Sequence, residues 1–167
     1  MLRQNYYLVA FTILFSCTQS TDHKESSFKE DSITTPIQKL EFIANEFYED
    51  DDFLLAIPYY DSLILIDSSK GGYYFRRGYC KMRLLNDLGA IYDYNIAVER
   101  NYSMKHVAYF YIGLIHRRHG LFENYNNRIT EFDSALHFYN LCLEIDPDYK
   151  SALEEKKKVQ QDLNTLR

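Results

Sequence analysis

The chain has 167 residues, of which 46% are hydrophobic, and a formal net charge of −5 at pH 7. This length and composition support one domain with a hydrophobic core and exclude a wholly disordered chain. The acidic balance disfavours nucleic acid as a partner, because binding to phosphates requires a basic surface.

The first sixteen residues have the pattern of a signal peptide. Arg3 lies in a short basic region, and the apolar run from Tyr6 to Phe15 is too short to span a membrane. The segment Leu14-Phe15-Ser16-Cys17 resembles the lipobox of bacterial lipoproteins, whose cysteine is acylated after cleavage. Residues 1–16 are therefore predicted to be removed and Cys17 to anchor the protein in the bacterial cell envelope, at the outer membrane. An ordinary secretory peptide and an uncleaved anchor are the alternatives.

A polar segment separates this signal from the rest of the chain. Residues 17–35 contain few apolar side chains and no hydrophobic period, so we expect a disordered tether. The sequence Thr35-Pro36-Ile37-Gln38 then indicates a helix start, with a capping threonine, a proline in the first turn and a glutamine that can reach back to the cap. The folded domain is predicted to begin near residue 35.

Alanine and tyrosine recur at an interval of 34 residues in this domain. Ala56 and Tyr60 are followed by Ala90 and Tyr94 at the matching places. A fixed period of this length is typical of helical hairpins, which must stack to bury their apolar faces. The predicted units are 37–70, 71–104 and 106–149, followed by an amphipathic capping helix at 150–167.

These units resemble the tetratricopeptide-repeat family. The positions that match the family are Leu40, Ile43, Ala44, Phe47, Phe53, Ala56, Tyr60 and Leu63 in the first unit, Tyr74, Gly78, Ala90, Tyr94 and Ala97 in the second, and Tyr109, Ile112, Gly113, Ala135, Tyr139 and Cys142 in the third. The resemblance implies an all-α fold, an α-solenoid of three hairpins plus a C-terminal capping helix. It also implies a concave face formed by the first helix of each hairpin.

Two features depart from the family pattern. Arg77 and Lys81 occupy positions that are usually apolar, so the second hairpin is expected either to be the loosest of the three or to bury only the alkyl stems. The third unit carries an insert, residues 121–130, which either lengthens both of its helices or forms a protruding loop.

The concave face is the candidate binding site. Projection of the family pattern onto the first helices predicts a groove that runs from acidic Glu41 through aromatic residues to a basic end. The predicted groove residues are Asn45, Tyr48, Phe75, Tyr79, Met82, Arg83, Phe110, Leu114, Arg117 and Arg118. An apolar patch with a charged rim is typical of a protein or peptide site. Alternatively, the capping helix or the insert covers Phe110 and Leu114.

Some members of the family clamp a C-terminal carboxylate with lysine and asparagine side chains. In this chain Asn45 alone fits that pattern, while Glu41, Phe75 and Phe110 stand where cations or amides would be needed. A carboxylate clamp is therefore not expected.

Candidates for chemistry are few. His116, His119 and His137 could be drawn as a metal site, but no acidic partner for them is evident in the sequence, and packed or surface histidines are the simpler interpretation. No phosphate-binding glycine loop or nucleophile motif is present, so no catalytic residue, metal or cofactor is predicted. Cys80 and Cys142 lie in helices that should not be adjacent, and we expect buried thiols rather than a disulfide.

Together these patterns predict a monomeric, lipid-anchored envelope protein that is not an enzyme. It would bind a protein or peptide in its groove and act as an interaction scaffold or assembly factor, with Cys17 as its membrane contact. An immunity or inhibitor protein that neutralises a toxin or hydrolase, with the insert as its specificity loop, is the alternative. A hydrolase built around the three histidines is a third, more remote hypothesis.

Overall fold

The computed structural model describes residues 35–166, apart from the side chains of residues 125 and 126. The predicted signal peptide, Cys17 and most of the tether lie outside the described residues. Within them the secondary structure is helical, without strands, which confirms the all-α prediction. The helices are α1 (Pro36–Glu49), α2 (Phe53–Ile66), α3 (Gly71–Arg83), α4 (Asp87–Glu99), α5 (Lys105–Phe122), α6 (Tyr125–Ile145) and α7 (Lys150–Leu166).

The helices pair in chain order. α1 packs on α2, α3 on α4 and α5 on α6, and each hairpin packs on the next through α2 with α3 and α4 with α5. α7 packs on α6 and, more lightly, on α5. The predicted solenoid of three hairpins with a capping helix is therefore confirmed.

Small residues allow the two helices of a hairpin to approach closely. A Cβ atom on Gly78 would lie 3.1 Å from the Cβ atom of Asp93, and one on Gly113 would lie 2.6 Å from the ring of Tyr139. Ala44 occupies the corresponding place in the first hairpin and is fully buried. These positions hold glycine or alanine because the partner helix fills the space that a larger side chain would need.

α1 begins as the sequence indicates. The Thr35 Oγ1 atom accepts a hydrogen bond from the Gln38 backbone N–H at 3.2 Å, and the Gln38 Oε1 atom accepts one from the Thr35 N–H at 2.9 Å. Pro36 occupies the first turn, where its missing N–H removes no helical hydrogen bond. This capping box satisfies backbone donors that the helix itself leaves without acceptors.

The insert lengthens both helices of the third hairpin. α5 has 18 residues and α6 has 21, whereas each of the first four helices has 13 or 14. Only Glu123 and Asn124 separate the two helices. Gly120 lies against the Phe132 ring, 2.6 Å from where a Cβ atom would stand, so the extension is packed and not a protruding loop.

Arg77 and Lys81 have ionic partners that the sequence analysis did not find. Arg77 contacts both carboxylate oxygens of Asp93, at 2.9 Å from Nε and 2.6 Å from Nη2, and its Nη1 atom lies 2.6 Å from Asp61. The Lys81 ammonium lies 2.7 Å from Asp93, which is fully buried. We call these four residues the ion network. It holds α3 against α2 and α4, so charged residues tie the second hairpin together rather than loosen it.

No helix among residues 35–166 combines the length and the apolar character that crossing a membrane requires.

Candidate functional site

Three tyrosines from successive first helices form a continuous row. The ring centroids of Tyr48 on α1 and Tyr79 on α3 are 5.4 Å apart, and those of Tyr79 and Tyr111 on α5 are also 5.4 Å apart. All three side chains are half-buried. We call this row the tyrosine ladder. It brings together two predicted groove residues and adds Tyr111, which the sequence analysis missed.

The phenol groups of Tyr48 and Tyr111 are uncharged at neutral pH. Burial raises the pKa of Tyr111 to about 12 and also raises the pKa of Tyr48. Half-buried neutral phenols present flat apolar faces together with hydroxyl groups that can donate or accept hydrogen bonds. The ladder is therefore suited to pack apolar side chains and to bind polar groups of a peptide backbone.

Three other predicted groove residues belong to the core. Phe75, Met82 and Phe110 are only 6 to 8% exposed. Phe75 stacks on Tyr102 with ring centroids 4.6 Å apart, and the Met82 sulfur accepts a long hydrogen bond from the Tyr94 hydroxyl at 3.9 Å. Phe75 and Phe110 also contact the Tyr111 ring, with centroids 6.0 and 5.6 Å away. All three side chains have little surface to offer a ligand.

The capping helix covers the end of the array. Phe110 and Leu114 pack in one apolar cluster with Ala152, Val159 and Leu163 of α7. This arrangement is the alternative that the sequence left open for these two residues. Phe110 and Leu114 therefore face α7 rather than an open groove.

The basic end of the predicted groove is neutralised by ion pairs. Arg117 pairs with Glu155 of α7 at 3.2 Å, and Arg118 pairs with Asp87 at the start of α4. Arg83 is exposed, lies 4.6 Å above the Phe53 ring and donates to the Tyr79 hydroxyl at 3.0 Å. Its guanidinium is also 3.5 Å from the Asp51 carboxylate.

Asn45 and Arg76 lie beside the first rung of the ladder. The Asn45 Oδ1 atom accepts hydrogen bonds from Arg76 Nη1 at 2.6 Å and from the Tyr60 hydroxyl at 2.9 Å. The Arg76 guanidinium lies over the Tyr48 ring, 5.3 Å from its centroid. Asn45 was predicted as a groove residue, whereas Arg76 was not.

Glu41, at the predicted acidic end, is engaged by two neighbours. Its Oε1 atom lies 3.1 Å from the Lys70 ammonium and accepts a hydrogen bond from the Tyr73 hydroxyl. The hydrogen bond from Tyr73, together with Lys70, lowers the pKa of this carboxyl group against the opposing effect of burial.

A stagger between successive first helices explains why Tyr111 and Arg76 were missed. Tyr48 and Tyr79 are 31 positions apart in sequence, and Tyr79 and Tyr111 are 32 apart. Equivalent positions are 34 apart between the first two units, as in Ala44 and Gly78, and 35 apart between the second and third, as in Gly78 and Gly113. The side chains that touch across two units therefore lie three residues, slightly less than one helical turn, away from equivalent positions. Aligning the units by their equivalent positions identifies the residues on one face of each first helix. It does not identify which of these residues contact each other across two units.

The histidines do have acidic partners, supplied by other helices. His116 Nδ1 lies 2.8 Å from Glu131 on α6, and His119 Nε2 lies 2.6 Å from Asp87 on α4. The sequence analysis was wrong to find none, because these partners lie 15 and 32 positions away. His137 is exposed and contacts Phe138 rather than the other two histidines. In the described part of the chain no group of three or more histidine, cysteine or acidic residues could hold a metal ion.

The two cysteines of the described chain are free and buried in different clusters, Cys80 between the first and second hairpins and Cys142 beneath α7. Burial raises the pKa of Cys80 to about 12 and that of Cys142 to about 11. Both thiols therefore behave as small apolar core groups.

No protein-family model and no curated protein matches the sequence significantly. Solved structures do match. The first tetratricopeptide domain of Spaghetti (RPAP3), bound to the HSP90 peptide SRMEEVD, has 23% identity and a TM-score of 0.63 over 77% of this chain and 93% of its own. The Arabidopsis OM64 tetratricopeptide domain has 18% identity and a TM-score of 0.63 over 75% of this chain and 94% of its own.

The second tetratricopeptide domain of human RPAP3, in complex with the HSP70 peptide SGPTIEEVD, has 16% identity and a TM-score of 0.60 over 72% of this chain and 92% of its own. The match in helix order and packing agrees with the residue pattern quoted from the sequence. The chain therefore has the fold of tetratricopeptide-repeat domains.

Proposed function

We propose that the protein is an interaction scaffold that binds a peptide segment of another protein along the tyrosine ladder. The observation that carries this proposal is the ladder itself, three half-buried rings in contact across all three hairpins. Solved neighbours with the same fold that are bound to HSP90 or HSP70 peptides support a peptide as the ligand class.

The dimensions of the ladder suit a short extended segment. Two successive centroid separations of 5.4 Å give a length of at most about 11 Å. An extended chain advances about 3.3 Å per residue, so roughly three or four residues cover the three rings. Alternate side chains of such a segment would face the ladder, and apolar side chains at those places would bury surface against the rings.

We further propose that Cys17 carries the lipid anchor and that the protein acts in the bacterial cell envelope, at the outer membrane, as an assembly factor. The support for this part is the lipobox-like segment before Cys17 and the polar tether that follows it. Metabolic labelling with a fatty-acid analogue tests it. Label should enter the wild-type protein and be absent from a Cys17→Ser variant, and label in that variant would contradict acylation at Cys17.

The alternative of an immunity or inhibitor protein depended on the insert as a protruding loop. Residues 121–130 instead extend two helices, which removes that support. The tip of the hairpin can still be tested by Phe122→Ala, because this side chain is 84% exposed and its loss is expected to leave both helices intact. Loss of partner binding in this variant, with binding retained in a ladder variant, would favour the alternative.

The ladder is tested by Tyr79→Ala, with Tyr92→Ala as the matched control. Tyr79 is the central rung, whereas Tyr92 on α4 is 62% exposed and lies outside the ladder. Proteins that are cross-linked to the wild-type protein in envelope extracts should be lost with Tyr79→Ala and retained with Tyr92→Ala. Circular dichroism checks that both variants fold. Retention of the same partners by a folded Tyr79→Ala variant would place the site elsewhere.

Phe75→Ala and Phe110→Ala are poor tests of binding. Both side chains are buried, and truncation of a buried phenylalanine costs about 3–5 kcal/mol of folding free energy. Loss of the partner in these variants would report unfolding as readily as loss of contact.

A further inference from the structure

Arg76 differs from the other arginines on α3 and α5 in its ionic partners. Arg77, Arg83, Arg117 and Arg118 each have a carboxylate within 4.0 Å. Among the described residues no carboxylate lies within that distance of Arg76, whose hydrogen-bond acceptor is the neutral amide of Asn45. A half-buried guanidinium with no carboxylate in contact can still bind an anion favourably, because a charge removed from water is stabilised by a partner.

The neighbouring acid does not fill this role. The Glu41 carboxylate is held by Lys70 at 3.1 Å and by the Tyr73 hydroxyl. The positive charge of Arg76 also contributes to lowering the Glu41 pKa, but the contacts of the carboxylate are with Lys70 and Tyr73, and the Arg76 guanidinium has no carboxylate within 4.0 Å among the described residues.

Asn45 adds further donors at the same place. Its Oδ1 atom lies between two donors, Arg76 Nη1 at 2.6 Å and the Tyr60 hydroxyl at 2.9 Å. An amide oxygen must face two donors, so the Nδ2 group of Asn45 points away from them with its two hydrogens. The pair thus offers N–H donors from both side chains, and a carboxylate is the peptide group that accepts from such a set with charge assistance.

The position of the pair favours a side chain over a chain terminus. Arg76 lies over Tyr48, and the ladder continues from Tyr48 to Tyr79 and Tyr111. A peptide that ended at this place would bring its C-terminal main-chain carboxylate in addition to the side chain of its last residue, and the extra carboxylate would need a cation of its own. Lys70 and Arg83, two further cations of the first two hairpins, already pair with Glu41 and Asp51.

We propose that Arg76 and Asn45 bind the side-chain carboxylate of an aspartate or glutamate within the bound peptide, one or two residues from an apolar side chain that packs on Tyr79 or Tyr111. This inference rests on the proposed function and names the residue class that the ladder selects. It makes Arg76 the residue that sets specificity and the tyrosines the residues that supply apolar contact.

A displayed library of random twelve-residue peptides, fused to the carrier at both ends so that no free terminus is present, tests the inference on the full chain. Sequences enriched by the wild-type protein should carry an aspartate or glutamate at a fixed distance from an apolar residue. Arg76→Gln should lose the acidic preference and keep the apolar one. Arg100→Gln is the matched control, because it removes the same charge from the exposed end of α4 and should retain both preferences.

An enriched peptide then gives the affinity change. Replacing its acidic residue by the corresponding amide should weaken binding to the wild-type protein by about tenfold, as expected for loss of one charge-assisted hydrogen-bonded pair. The same replacement should change binding to Arg76→Gln by less than about twofold. Fluorescence polarisation with the labelled peptide measures both values.

An Asn45→Asp variant provides a second test that preserves the fold. The aspartate can still accept from Arg76 and Tyr60, and its charge supplies the missing counter-ion within the protein. This variant should fold at least as stably as the wild type and lose the acidic preference in the library.

The outcomes separate the two proposals. If the wild-type protein enriches no sequence, the proposed peptide-binding function fails. Enrichment of apolar residues without an acid, or an acidic preference that survives in Arg76→Gln, overturns the inference alone. Binding that requires a free C-terminal carboxylate, shown with free and amidated forms of one peptide, also overturns it.

Discussion

Replacing Asp93 by asparagine removes the centre of the ion network in the second hairpin. The carboxylate is fully buried and contacts Arg77 through two hydrogen bonds and Lys81 at 2.7 Å. Asparagine keeps the size of the side chain but carries no charge. The variant therefore leaves two cations beside a neutral amide, in side chains that are only 13% and 19% exposed.

The burial and the ionic partners of Asp93 set the expected loss in the free energy of unfolding. Removing one partner of a buried ion pair typically costs about 3–5 kcal/mol, because the remaining charge is left without compensation. Arg77 retains Asp61 at 2.6 Å, and both cations reach water in part. We therefore expect the low end of the range, about 3 kcal/mol, which corresponds to a decrease of about 10 °C in Tm for a domain of this size.

Urea unfolding of the full chain, followed by far-ultraviolet circular dichroism, measures the free energy of unfolding. Asp61→Asn is the matched control, since it alters a carboxylate on the same arginine whose side chain is 50% exposed. Exposed pairs contribute less than about 1 kcal/mol, so the control should unfold close to the wild type. A loss below about 0.5 kcal/mol for Asp93→Asn, or an equal loss for both variants, would refute this account of the second hairpin.

Two further predictions concern close packing and alkaline pH. Gly113→Ala should lower the free energy of unfolding by about 2 kcal/mol, because its Cβ atom would lie 2.6 Å from the Tyr139 ring. Gly72→Ala should instead raise the free energy of unfolding by up to about 1 kcal/mol, because the nearest atom to its Cβ would be 3.7 Å away and alanine favours the helix over glycine. Urea unfolding measures both, and the reverse order would contradict the packing argument. Burial raises the pKa of Tyr60 and Tyr111 to about 12, so the folded state holds these phenolic protons more tightly than the unfolded chain, where tyrosine ionises near about 10. Their stabilising contribution is complete below about pH 10 and is lost as the pH rises towards 12, so unfolding free energies measured between about pH 8 and 11 should decline, and constant values would contradict the shift.

The helical hairpins could be predicted from sequence because their determinants are local or periodic. Ala56, Tyr60, Ala90 and Tyr94 recur at the 34-residue interval, and in the structure all four are buried, at 0 or 1% exposure. A small residue beside a large ring is the pattern that two close helices require. The cap at Thr35 could be identified for a similar reason, since its hydrogen bonds join residues three positions apart.

The candidate site could be predicted only in part, because its contacts join different helices. Asn45, Tyr48 and Tyr79 were found from their places in the repeat, but Arg76 and Tyr111 enter through the one-turn stagger between units. The repeat pattern identifies the residues within each unit. It does not give the offset between the first helices of neighbouring units.

Charge was the feature that the sequence pattern described least well. Arg117 and Arg118 read as a basic end of the groove, yet their partners Glu155 and Asp87 lie on helices that precede or follow the first helix of the third unit. Arg77 read as a defect in the repeat, yet Asp93 neutralises it from 16 positions away. Ion pairs of this kind depend on side-chain reach across a packed interface, which a one-dimensional pattern does not record.

If a peptide binds along the tyrosine ladder as proposed, its binding depends on how the hairpins stack. Each rung comes from a different unit, so the spacing of 5.4 Å exists only while successive first helices are held in place by the clusters beneath them. In an array whose units contact only their neighbours, a peptide that crosses both seams adds contacts between units that otherwise rely on packing alone. Binding would therefore stabilise the seams it crosses, and a ladder substitution would weaken both affinity and stacking. Substitution of a half-buried tyrosine of the ladder should reduce peptide affinity more than it weakens the stacking of the hairpins. Substitution of a buried phenylalanine should not show this order.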